Sequence, residues 1–177
     1  MRVIAGTHGG RELIAPKGRA TRPTSDRVRE ALFSILGDLH DVRVLDLFAG
    51  SGALGIEALS RGAAQATLVD AAAPAIAAIN RNLEALGLEA EVVRQPAARF
   101  LQAASRGARQ YDLVFLDPPY RHASTLGREL TSALTPILSD DARVVAESDR
   151  RVPLGLELAL VDERRYGDTL IQIHAAR

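Results

Sequence analysis

The chain has 177 residues, 47% hydrophobic and 25% charged, with 22 basic and 22 acidic side chains and no cysteine. Hydrophobic content this high at zero net charge excludes a disordered chain, and a length near the ~150 residues of a typical domain suits one domain with a sizeable core. The missing cysteines exclude a disulfide scaffold. The longest apolar run, Ala71–Ile79, falls far short of the ~20 residues that span a bilayer, so a soluble cytoplasmic protein without a signal peptide is expected.

Zero net charge argues against a nucleic-acid partner only if the charge is evenly spread, and it is not. Residues 1–30 carry seven basic side chains (Arg2, Arg11, Lys17, Arg19, Arg22, Arg27, Arg29) against three acidic ones (Glu12, Asp26, Glu30), a net of +4 that leaves −4 on the rest. In this segment Arg2–Gly6 and Arg11–Ala15 are strand-like runs joined by Thr7-His8-Gly9-Gly10, which predicts a β-hairpin. Residues 16–23 read as a loop. Thr24 or Ser25 can cap a helix with Asp26 in its first turn, and Val28, Ala31, Leu32, Ile35 and Leu36 give that helix an apolar stripe.

From Val42 onward strands and helices alternate. Val42–Leu47 is a buried strand, Ala53–Arg61 a helix, Ala66–Asp70 a second strand and Pro74–Leu86 a helix with proline in its first turn. Glu91–Arg94, Tyr111–Leu116 and Arg143–Glu147 are further strands, with helices at Ala98–Ser105 and about Ser124–Leu134. Two late strands are expected near Leu156–Val161 and Thr169–His174. This order predicts an α/β, doubly wound, mostly parallel seven-stranded sheet with a small N-terminal hairpin extension.

Two connections carry chemistry. The first strand runs through Asp46-Leu47-Phe48-Ala49-Gly50-Ser51-Gly52 into a helix, and Gly50, Gly52 and Gly55 keep the G-x-G-x-x-G spacing of a dinucleotide fingerprint. Asp70 ends the next strand, where a carboxylate can accept from ribose hydroxyls. A nucleoside cofactor is therefore expected. Asp46 would sit awkwardly beside a pyrophosphate but suits an ammonium or sulfonium charge, which favours S-adenosylmethionine over NAD.

The fourth strand ends in Asp117-Pro118-Pro119-Tyr120. Two prolines stiffen this turn, so the Asp117 carboxylate and Pro118 carbonyl can face one point and grip both N–H bonds of an amino group. Such a grip favours the pyramidal nitrogen that attacks a methyl carbon and stabilises its developing positive charge. Tyr120 can stack on a base turned out of its helix.

These residues resemble a known family. Val44–Gly52 followed by Asp117–Tyr120 is similar to the class I S-adenosylmethionine-dependent amino-methyltransferases. Arg22–Phe33, Leu54–Ala63 and Arg165-Tyr166-Gly167-Asp168-Thr169 resemble, more closely, the bacterial small-subunit (16S) ribosomal RNA guanine-N2 methyltransferases, from Ile4 to the C-terminus. The resemblance implies a Rossmann-like methyltransferase domain over 24–177, preceded by a basic RNA-contacting hairpin and loop over 1–23. It implies that Asp46, Phe48, Ala49, Gly50 and Gly52 wrap the methionine end of the cofactor and that Asp70 holds its ribose. Asp117, Pro118, Pro119 and Tyr120 would hold the guanine amino group, and Arg11, Lys17, Arg19 and Arg22 would contact 16S ribosomal RNA, within a small-subunit particle.

The chain departs from that pattern after the third strand, where Arg94-Gln95-Pro96-Ala97 offers no acidic side chain to the adenine. Recognition there is expected from Gln95 and from backbone groups around Ala97. His8, His40, His122 and His174 are scattered without ligand spacing, so no metal is expected. The readings that compete are an N6-adenine or glutamine amino-methyltransferase, where Asn more often takes the place of Asp117; an NAD(P)-dependent oxidoreductase, which leaves Asp117–Tyr120 unexplained; and a non-catalytic RNA-binding module.

Overall fold

The computed structural model describes residues 1–16, 25–118 and 123–176. The chain divides into two compact units, Met1–Gln95 and Pro96–Arg177. Among the described residues seven strands form, three in the first unit and four in the second.

In the first unit, α1 (Asp26–Leu36) begins where Ser25 Oγ accepts from the Val28 N–H at 3.3 Å. It leads to β1 (Arg43–Asp46), α2 (Ala53–Ser60), β2 (Gln65–Asp70), α3 (Ala73–Leu86) and β3 (Glu91–Arg94). β2 pairs in parallel with both β1 and β3, in a register that sets Asp46 beside Leu68 and Asp70 beside Arg94, so both carboxylates lie at the carboxyl ends of their strands. The α1 stripe is rotated from the expected one. Arg29 and Phe33 join Val28, Leu32 and Leu36 in the interior, while Ile35 is exposed. Arg29 can be buried because its Nη2 donates to the Arg2 carbonyl and to Asp26 Oδ1, and Nη1 lies 4.0 Å from the buried Glu57 carboxylate.

The N-terminal runs do pair antiparallel, but through one bridge, Arg2 with Glu12, rather than as two strands. Backbone bonds Val3 N–H to Arg11 C=O, Gly10 N–H to Val3 C=O and Leu13 N–H to Met1 C=O, each 2.9 Å, close the loop. The backbone between them is committed elsewhere. Glu57 of α2 accepts from the Ile4 and Ala5 N–H groups at 2.6 and 3.1 Å, and the Ser60 carbonyl and hydroxyl accept from Thr7 and His8 at 2.8 and 3.0 Å. The segment is thus clamped onto α2, with Val3 and Leu13 buried beneath it.

Gly6 makes this clamp possible. Its φ is +82°, and a Cβ there would lie 1.8 Å from the Ser60 carbonyl oxygen. Gly6→Ala combines a left-handed backbone with a clash against backbone, and each such effect costs ~1–3 kcal/mol, so we expect it to lower stability by about 3 kcal/mol in urea unfolding. A loss below about 1 kcal/mol would contradict the clamp.

The second unit holds α4 (Ala97–Arg106), β4 (Tyr111–Leu116), α5 (Ala123–Leu134), a 3-10 turn at Thr135–Ile137, β5 (Leu138–Asp149), β6 (Ala159–Tyr166) and β7 (Thr169–Ala175). β4 and β5 are parallel; β7 runs antiparallel to β5 and β6, which makes the sheet mixed. β5 begins at Leu138, before the expected Arg143, with a bulge against β4 taking up the polar residues between. β6 lies later than the expected Leu156–Val161. Residues 154–157 are taken by α5: Gly127 admits the Leu154 carbonyl where a Cβ would stand 1.9 Å away, and the Glu157 N–H donates to Thr131 Oγ1 at 2.9 Å. The strand that follows is an edge strand, exposed at Leu160 and Val161 and charged from Asp162 to Arg165, the composition that discourages edge-to-edge association.

Candidate functional site

The glycine turn of the first unit is built from backbone. The Ala49 N–H donates to the Val69 carbonyl of β2 at 3.0 Å, and the Gly52 N–H returns to the Ala49 carbonyl at 2.6 Å. Gly50 and Gly52 take φ of +56° and +79°, values that favour glycine, and beside Gly50 the space a Cβ would fill has no atom nearer than 4.0 Å. The third glycine acts by packing. A Cβ on Gly55 would lie 2.1 Å from Leu68 Cδ2, so its absence lets α2 settle on β2. Gly52 caps α2 without a side chain, and within the first turn the Gly55 N–H is taken by Asp46.

Two buried carboxylates frame this turn. Asp70 Oδ2 accepts from the Gly50 N–H at 3.0 Å and Oδ1 from the Ala72 N–H at 2.8 Å. A carboxylate oxygen accepts more than one hydrogen bond, so the same oxygens that order the turn can also receive a donor such as a ribose hydroxyl. Asp46 Oδ2 accepts from the Gly55 N–H at 3.1 Å. Burial raises its pKa to about 7, partly offset by that N–H bond and assisted by the negative charge of Asp70. A cation beside Asp46 would reverse this shift. Phe48 is half-buried and Ala49 buried in the same turn; Gln95 is half-buried just after β3.

In the second unit β4 is fully buried from Leu113 to Leu116 and delivers the half-buried Asp117 and the buried Pro118 at its carboxyl end. Pro119 and Tyr120 lie outside the described residues. Ala97, half-buried, opens α4, whose N-cap Pro96 provides no capping side chain. Of the expected RNA contacts, Arg11 is exposed at the N-terminal bridge; Lys17, Arg19 and Arg22 lie outside the described residues. A groove of about 390 Å³ in this unit is lined by α4 and α5, among them Leu101, Arg106 and Ser132, and by none of the expected site residues. Among the described residues there is no cluster of His, Cys, Asp and Glu that could hold a metal ion, and no helix long and apolar enough to cross a membrane.

Sequence reasoning did not single out Asn82 or the roles of Glu57 and Arg29. Each left a readable signal, a polar residue on an apolar helix face. Asn82 continues the buried stripe Ala75, Ala78, Ile79, Leu83 and Leu86, and Glu57 sits between Ile56 and Ala58, both 0% exposed.

The sequence profile of the family described as Conserved hypothetical protein 95 matches residues 1–175. YlbH of Bacillus subtilis (strain 168) is 42% identical over the whole of both chains. Ribosomal RNA small subunit methyltransferase D of Escherichia coli (strain K12) is 42% identical over 84% of this chain and 75% of its own. The solved structure of the Thermus thermophilus hypothetical protein TTHA0928 superposes with a TM-score of 0.87 at 30% identity, over 99% of each chain.

Proposed function

The chain belongs to the Conserved hypothetical protein 95 family, and from that premise we propose that it transfers a methyl group from S-adenosylmethionine to the exocyclic N2 amino group of a guanine in 16S ribosomal RNA. The observation that carries the cofactor is the pair of buried carboxylates at the glycine turn, Asp70 bonded to the turn's Gly50 N–H and to the Ala72 N–H, and Asp46 raised to about 7. A nucleoside bearing positive charge suits both; the two phosphates of NAD would meet Asp46 as a repelling charge. The relation to ribosomal RNA small subunit methyltransferase D supports ribosomal RNA as the substrate.

S-Adenosylmethionine, when bound, supplies an electrophilic methyl on a sulfonium sulfur. The chain supplies position and charge. Asp70 receives the ribose hydroxyls, and Asp46 faces the positive charge of the methionine end, with Phe48, Ala49, Gly50 and Gly52 around it. Gln95 and backbone groups near Ala97 meet the adenine. The Asp117 carboxylate and Pro118 carbonyl accept the two N–H bonds of the guanine amine, drawing its lone pair out of conjugation and stabilising the positive charge that grows on nitrogen. The surplus proton then leaves by Asp117 or solvent. Pro119 keeps this grip rigid and Tyr120 stacks on the base.

Arg11, Lys17, Arg19 and Arg22 contact the RNA backbone. With no net positive charge on the whole chain, bare RNA binds weakly and salt-sensitively, and a small-subunit particle is the better substrate. Equilibrium dialysis with labelled S-adenosylmethionine and, separately, labelled NAD tests the cofactor. Binding of the first and not the second is expected; the reverse result would favour an oxidoreductase.

A further inference from the structure

Asn82 of α3 is 1% exposed, and its side chain spans two parts of the first unit that sequence reasoning assigned to different ligands. Its Oδ1 accepts from the Ile14 N–H at 2.8 Å, while its Nδ2 donates to the Ile14 carbonyl at 3.0 Å and to the Ser51 carbonyl at 2.9 Å. Ile14 belongs to the basic N-terminal segment. Ser51 is the residue between Gly50 and Gly52. A second bond joins the same two parts: Ser51 Oγ donates to Met1 Sδ at 3.8 Å, and the Met1 carbonyl accepts from Leu13.

Ile14 is held there by its backbone, since its own side chain is 51% exposed. If the segment leaves α3, a buried amide loses two of its three hydrogen bonds, which is costly, and the Ser51 carbonyl is left bonded to an amide no longer fixed from its other side. The turn therefore responds to whether the segment is seated. The far end of the segment is fixed independently by Glu57 and Ser60, so loosening the Asn82 end does not detach it.

We propose that Asn82 is a positioning residue that couples RNA docking on the N-terminal segment to cofactor binding at the glycine turn. The proposal rests on the functional reading above. Each ligand favours the state in which the amide makes all three bonds, so each tightens the other, and by thermodynamic necessity by the same factor.

The test measures binding without turnover. Labelled S-adenosylhomocysteine, the demethylated product, is titrated by filter binding with and without saturating, unmethylated, partly assembled small-subunit particles, and the particles are titrated with and without the nucleoside. For the wild type we expect about tenfold tighter binding in both directions, within the common range of coupling. Ile14→Pro removes the N–H that Oδ1 accepts, and Asn82→Ala removes the whole bridge. In both, the coupling falls below about twofold; Ile14→Pro, which keeps the Asn82–Ser51 bond, changes nucleoside affinity in the absence of particles by less than about threefold, whereas Asn82→Ala weakens it as well. Thermal melts identify whichever variant is folded, and one folded variant suffices. Particles and nucleoside binding independently to the wild type, or full coupling in a folded variant, overturns the proposal. A wild type that binds no S-adenosylhomocysteine or no particle overturns the functional reading itself.

Discussion

Asp117→Ala is expected to lower methyl transfer by about a thousandfold, the scale that follows from deleting a group that meets charge developing in a transition state. Cofactor affinity should change by less than about twofold, because Asp117 stands at the end of β4 in the second unit, whereas the glycine turn and both framing carboxylates belong to the first. Asp117→Asn separates charge from hydrogen bonding. Its amide oxygen still accepts one N–H, so it should keep more activity than alanine, at about a hundredth of wild type. Single-turnover rates with saturating cofactor, alongside calorimetric affinity for S-adenosylmethionine, check both variants. Full activity in Asp117→Ala would remove the residue from the chemistry.

The second large effect is a dependence of cofactor affinity on pH. In the free protein Asp46 titrates at about 7, pushed up by burial. A bound cation favours the ionised carboxylate, so below pH 7 binding must expel a proton. The Kd for S-adenosylmethionine should therefore rise about tenfold for each pH unit below 7 and level off above it, until the ligand's own ammonium begins to titrate near ~8. Asp46→Asn abolishes the acid limb and weakens binding at pH 7.5 by more than about tenfold.

The same shift has a stability consequence of opposite sense. A carboxyl whose folded pKa lies above its unfolded value of 3.8 stabilises the fold at low pH, and that contribution is lost as the pH rises through 7. Asp46→Asn should thus melt at least ~3 °C above wild type at pH 8, an advantage that shrinks as the pH falls below 7 and disappears near pH ~4. A variant that binds poorly yet melts higher is the mark of a group kept for function at a cost in stability. Equal melting temperatures at pH 8 would show that Asp46 is not strained.

Where local chemistry decides the structure, the chain was readable. β3 and β4 begin and end where apolar patterning placed them, and the glycine turn forms because φ values of +56° and +79° demand glycine at Gly50 and Gly52. Where distant partners decide, it was not. The N-terminal runs read as a hairpin because nothing local reveals that Ile4 and Ala5 bond a carboxylate 53 and 52 residues away. The α1 stripe rotates because Arg29, which helical spacing counts as polar, finds carbonyl and carboxylate partners in the interior. β6 was misplaced because an edge strand rich in charge lacks the apolar signature of a strand, while the more apolar residues 154–157 pack on α5. Asn82 stood visibly on an apolar stripe, but its link from Ile14 to Ser51 exists only in three dimensions.

The central claim is methylation of a guanine amine in ribosomal RNA, and it is tested most directly by locating the methyl group. The purified protein, labelled S-adenosylmethionine and either naked 16S ribosomal RNA or partly assembled small-subunit particles are incubated together, and the RNA is digested to nucleosides and mapped. The account predicts N2-methylguanosine at a single position, formed faster on particles than on naked RNA, with Asp117→Ala as the blank. Label in N6-methyladenosine, in protein, or nowhere while the cofactor binds would contradict it.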